Sequence, residues 1–244
     1  MVSGDCRREP VEVLAVASVH ITKLAAAQRQ LRAAIRLFFE GEDDLAVHTV
    51  ASAAYRLIAD LKAERGRDEV ADYHLTSIFF VVRDFRRGTL PRHFTDDPEA
   101  MKWIQGMAEQ LQITRDSKIE DMRVAVSRET ARVWWGQRNR IANFLKHADR
   151  DARAHIALDE INNLELLLLA MSSYGDLVKD DLGAEGLVLW IYQNVISGTA
   201  GDLPDRFREL ARMIDSFTAA DRLEICAEAI KRLNAAEDIR RTEA

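Results

Sequence analysis

Apolar residues recur every three or four positions over most of the chain, and short polar or glycine-bearing breaks separate the runs. That spacing puts one face of a helix into a core. Residues 11–40 read as one or two helices, with Ile21, Leu24, Ala27, Leu31, Ile35 and Phe38 forming the stripe. Gly41 ends the run, and Asp43 or Asp44 is placed to cap a second helix over about 45–65. Its stripe is Val47, Val50, Ala54, Leu57 and Leu61, and Ala51, Ser52, Ala53 and Ala54 allow a close backbone approach. The two helices form an N-terminal hairpin.

The pattern continues with a helix over about 68–87, whose apolar residues are Val70, Ile78, Phe79, Val82 and Phe85. A loop follows around Gly88 and Pro91, and Asp97-Pro98 opens a short helix to about Gln112. One long central helix is expected over 116–148, then an apolar helix over about 152–174 capped by Asp151. A short helix spans Leu187–Ile196, and helices over about 205–215 and 219–235 complete the chain. Gly198, Gly201 and Pro204 mark a linker. Neither an internal repeat nor a strand pattern is evident. The expected architecture is an all-α, multi-helix bundle of about eight to nine helices. Residues 10–197 form the main bundle, and 202–240 form a C-terminal helical pair docked on it.

Composition narrows the class of protein. Hydrophobic residues make up 48% of the 244 residues and charged residues 30%, enough to build a soluble globular core. A net charge of −6 argues against wholesale coating of nucleic acid. The local charge runs the other way: residues 115–153 hold ten Lys and Arg against six Asp and Glu. The two cysteines, Cys6 and Cys226, provide neither a disulfide framework nor a cysteine-based zinc site. The longest apolar run, Leu166–Met171, is far short of the ~20 residues that a membrane span needs. Val13–Val19 follows Arg7, Arg8, Glu9 and Glu12 and leads into an amphipathic helix, so it reads as part of that helix rather than a signal core. The expected setting is cytoplasmic, with no membrane association.

The densest chemistry lies in the segment from Arg138 to Asp151. On a regular helix Arg140 and His147 fall within about 20° of one face, with Asn143 at a neighbouring angle. Both sit at one edge of the stripe formed by Trp134, Ile141, Phe144, Leu145 and Ala148, while Arg138 sits near the opposite edge. A guanidinium at such a half-buried edge can anchor a phosphate, and an imidazole beside it can move a proton near neutral pH. His147, Asp149 and Asp151 are also weak candidates for metal ligands, as are Asp44 and His48, one turn apart. Asp151 has a competing reading as a helix cap. The chain has no Glu-x-x-His, no phosphate-cradling glycine loop and no nucleophile elbow, and no cofactor is expected. Trp134-Trp135 can stack bases, or one ring can be core and the other interface.

The stretch from Arg140 to His147, with six residues between, resembles the ribonuclease motif of the HEPN superfamily of small helical domains. The resemblance implies metal-independent RNA cleavage at a dimer interface. Arg140 would hold phosphate, His147 would handle the proton, and Asn143 would lie between them. The sequence departs from the motif at Ile141, where the family usually has a polar residue directly after its Arg. A second resemblance runs over roughly residues 20–195. It is carried by Ile21–Leu24, His48-Thr49 with Ala51–Tyr55, and Asn143–Asp149, and it points to a group of uncharacterised bacterial helical proteins. It implies a fold and a bacterial setting without an activity.

Two functional classes follow. The first is a non-enzymatic interaction module that forms a homodimer or binds a protein partner. There, His48, Tyr55 and His147 are satisfied core or interface groups. The alternative is a HEPN-type RNase acting on RNA through Arg140 and His147.

Overall fold

The computed structural model describes residues 20–122, 124–147, 149–178 and 182–242. The expected helical start at 11–19 lies outside them. Among the described residues the secondary structure is helical, with no strand. The described residues form eleven α-helical segments, one of them the single turn Arg92–Thr95, so the count exceeds the expected eight to nine.

The N-terminal hairpin consists of α1 (Lys23–Phe39) and α2 (Asp44–Glu64). Thr22 caps α1 by accepting the Ala25 N–H at 3.1 Å. Asp43 caps α2 by accepting from Leu45 and Ala46. Gly41 makes the turn at φ 69°, which a residue with a Cβ adopts only with strain. Ala27, Ala34, Ala51 and Ala54 are all buried, so small side chains let the two helices close.

On this hairpin pack α8 (Asn163–Leu177) and α9 (Gly183–Ile196). Leu31, Ile35, Phe39, Ile58, Leu167, Leu189 and Ile191 make a fully buried centre. The two C-terminal helices, α10 (Asp205–Asp215) and α11 (Ala219–Thr242), lie against α9, and α11 also reaches α1. Their Ala211, Ile214, Cys226 and Ile230 belong to the same apolar cluster as the hairpin.

A second, smaller core forms elsewhere. The distal half of α3 (Glu69–Arg87) packs with α5 (Pro98–Gln110), preceded by the single turn α4 (Arg92–Thr95). Leu75, Phe79, Val82, Ala108 and Ile113 are its buried residues. The proximal half of α3 is tied to the main body by Lys62 near the end of α2. This ammonium is 1% exposed and lies 2.6 Å from Glu69, 3.0 Å from Asp72 and 2.9 Å from Asp176. Glu69 also accepts from the Tyr55 hydroxyl at 2.7 Å and from Ser173. Burial opposes the charge on Lys62, yet Glu69 beside it holds the ammonium above its usual pKa.

The expected central helix over 116–148 is not continuous. Residues 111–122 and 124–127 run as loop with one 3-10 turn, Ile119–Asp121, and helix resumes only at α6 (Arg128–Arg138). Two cores compete for this stretch. Ile113 and its neighbours Ile119 and Met122 fold onto α3 and α5, whereas Trp134 is buried in the main body. Ser127 then opens α6 by accepting the Thr130 N–H at 3.0 Å. At Asn139 the chain breaks again, and α7 (Arg140–Lys146) follows.

The expected helix from 152 also starts late. Residues 149–162 are turns and loop with a 3-10 turn at Leu158–Glu160, and the cap of α8 is Asn162, which accepts the Glu165 N–H at 3.0 Å. Asn side chains compete for backbone hydrogen bonds and favour a cap over a helix interior. Asp151 instead accepts the Arg153 N–H at 3.3 Å within a turn. Smaller differences are an earlier start for α9, at Gly183, and a longer α11, to Thr242.

Candidate functional site

Helix α7 is held by its apolar residues. Ile141 and Ala142 are buried, and the helix rests against α2 and α6. Its other face is left to solvent and carries Arg140, Asn143 and, at the C-cap, His147. The His147 N–H donates to the Asn143 carbonyl at 3.0 Å, which fixes where the imidazole leaves the backbone.

Facing that side is the loop after α7. Arg140, Asn143, Phe144 and His147 line one wall of an open cleft of about 280 Å³, and Arg150, Asp151, Ala154, His155 and Ile156 line the other. The three residues singled out for catalysis therefore share one concave surface. Two of its residues, Arg150 and His155, are additional basic groups, although the apolar pattern predicts His155 inside a helix and Arg150 just before it. Arg140 is ion-paired with Glu160 from the 3-10 turn. The hydrogen bond from Arg140, with a weaker one from the Ala157 N–H at 3.4 Å, holds the Glu160 carboxyl below its usual pKa. His147 Nδ1 lies 3.8 Å from Asp149, an ion pair only when the ring is protonated and too long for a hydrogen bond.

Arg138, the last residue of α6 and across the Asn139 break from α7, faces elsewhere. It pairs with Glu165 at 2.6 Å and lies over the Tyr73 and Trp134 rings, 5.6 Å from each centroid. The two tryptophans are perpendicular, with centroids 4.7 Å apart. Trp134 is core, while Trp135 is half-buried between Tyr55 and the Arg56 guanidinium.

Among the described residues, no group of three or more His, Cys, Asp or Glu converges in a way that could hold a metal ion. Asp44 and His48 are joined through Asn163 instead. Its amide nitrogen donates to the Asp44 carbonyl at 3.0 Å and to its carboxylate at 2.9 Å, and its oxygen lies 3.2 Å from His48 Nδ1.

A larger cavity, of about 580 Å³, lies where α3 leaves the main body. Its arginines are already engaged: Arg67 pairs with Asp72 and Asp176, and Arg65 donates to the Leu177 carbonyl. Sequence reasoning missed this Lys62-centred network. A signal for it existed, since Lys62 precedes the Gly66 turn and Glu69 and Asp72 open the next helix. No α-helix among the described residues is long and apolar enough to cross a membrane.

Comparison of the chain with protein-family models, with curated proteins and with solved structures finds no match. The site must be read from its own chemistry.

Proposed function

We propose that the chain is a non-enzymatic bacterial interaction module that works in the cytoplasm and pairs with a second copy of itself through α10 and α11. One observation carries this reading. An apolar groove of about 260 Å³ runs between those helices, lined by Leu210, Met213, Ile225, Ala229 and Leu233, with the ion-paired Glu228 and Arg232 at its rim. Met213, Phe217, Leu233 and Ile239 are among the large apolar side chains left exposed. An apolar strip rimmed by charge is the usual composition of a contact surface. The rim carries both signs, so a two-fold axis can set Glu228 of one copy against Arg232 of the other.

Sedimentation velocity tests this directly. The wild type is expected to sediment as a dimer at tens of micromolar. Met213→Asp and Leu233→Asp are expected to give monomers with unchanged helix content. A wild-type monomer across that range removes the reading.

A second reading is a metal-independent RNase of the HEPN type. It is favoured by one specific observation: Arg140, Asn143 and His147 meet in a single cleft with Arg150 and His155. Arg140 would hold the phosphate, and His147 would exchange a proton with the ribose hydroxyl or the leaving oxygen. The departure at Ile141 has a packing cause, since that side chain is buried. Incubation with total RNA in EDTA is the test. Cleavage by the wild type that disappears in both His147→Ala and Arg140→Ala supports it; intact RNA rejects it.

A further inference from the structure

Arg140 lines the cleft with His147, Arg150 and His155, and its guanidinium reaches out of α7 to meet Glu160, twenty residues on and outside the cleft lining. A carboxylate paired with a guanidinium that also lines a cleft holding a second arginine and two histidines competes for the donors that a phosphate oxygen would take, because both anions match the same planar fork. From this juxtaposition we infer that Glu160 is a displaceable internal occupant of an oxyanion seat centred on Arg140, and that the seat accepts a phosphodiester once Glu160 swings away. The inference rests on the cleft of the second reading but not on cleavage.

Three features make the occupant displaceable. The Arg140 and Glu160 side chains are 51% and 43% exposed, so solvent screens their attraction. Glu160 ends a single 3-10 turn, Leu158–Glu160, and its second oxygen has only the 3.4 Å contact to the Ala157 N–H. Finally, the remaining cleft groups, Asn143, His147, Arg150 and His155, would face a second ligand oxygen that a lone carboxylate cannot satisfy. An incoming phosphate can thus replace one weak contact with several. Asp151, also at the cleft, opposes this and sets a preference for singly charged diesters over dianionic inorganic phosphate.

The test uses the full chain and two probes, a fluorescein-labelled 2′-O-methyl oligouridylate, which lacks the hydroxyl needed for self-cleavage, and inorganic phosphate. Anisotropy reports the first, and the imidazole C2 proton shifts of His147 and His155 report both. Glu160→Gln is expected to bind the oligonucleotide about two- to fivefold tighter than wild type, the range of an exposed ion pair. The gain should vanish when Arg140→Ala is added to Glu160→Gln. A gain with both probes assigns a general oxyanion seat, and a gain with the oligonucleotide alone assigns a diester seat. The inference is overturned if Glu160→Gln binds no tighter than wild type, if neither probe binds, or if the gain survives the loss of Arg140, because net charge alone would then explain it. Unmodified RNA left intact by a variant that shows the gain would reject the RNase reading while leaving the seat in place.

Discussion

Asn163 decides the tautomer of His48. Its amide nitrogen is committed to two oxygens of Asp44, so its oxygen must accept from His48 Nδ1–H, and the buried Nε2 is left without a hydrogen bond. Burial, reinforced by Lys146 and partly offset by Asn163, lowers the His48 pKa from its ordinary value of 6.5. Unfolding therefore takes up a proton at His48 in the window below 6.5. Stability from this group is complete above that value and drains away as pH falls, by no more than about 1.4 kcal/mol per pH unit. Urea titrations between about pH 7.5 and pH 5 should show this slope in wild type and a shallower one in His48→Gln. Equal slopes in both would place the acid sensitivity in other groups. His48 was legible as a polar group with a helical neighbour, but its partner was not, since Asn163 lies far along the chain.

At the scale of elements, two ion pairs on α2 separate what helix periodicity can and cannot supply. Arg56 and Asp60 form an i,i+4 pair with both side chains more than half exposed, and sequence spacing alone gives it away. Such a pair contributes about 0.3–0.5 kcal/mol, so Arg56→Ala should barely move the unfolding midpoint. Lys62 belongs to the same helix but joins α2, α3 and α8 through a nearly inaccessible ammonium. Lys62→Met leaves Glu69 buried with its charge uncompensated and should cost about 3–5 kcal/mol by urea denaturation. A loss below about 1 kcal/mol would show that Glu69 is accommodated without the ammonium, by its Tyr55 and Ser173 donors or by taking up a proton. The hairpin of α1 and α2 was readable because caps, glycine and apolar stripe agree. The stretch 111–162 was not, because its apolar residues serve two separate cores and a single helical period cannot describe both. One wall of the cleft was therefore foreseen on α7, while His155 and the Arg140 partner Glu160 were hidden in a segment that reads as helix, and Arg150 in the short break before it.

Across the whole molecule, the question is whether the last two helices belong to the body. Glu185 on α9 is fully buried and is bound by Arg32 and Arg36 of α1, and Asn234 of α11 donates to it while accepting from Arg32. Although burial opposes its charge, these bonds and its own backbone N–H hold the carboxyl below the usual range, so it stays ionised. One carboxylate thus links the first helix, the ninth and the last. On the same last helix, Cys226 is fully inaccessible, and burial pushes its thiol up to about 12, which removes nearly all thiolate at neutral pH. Cys226 can react with a disulfide reagent only when α11 lifts off. In a Cys6→Ser background its labelling rate measures that opening alone. If α11 is integral to the core, labelling should be as slow as global unfolding and should accelerate in step with it as urea is added. Asn234→Ala should speed it modestly by loosening the contact to Glu185. Fast labelling that ignores urea would mean the C-terminal pair leaves the body on its own. The apolar groove between α10 and α11 would then travel with a mobile unit rather than a fixed face of the fold.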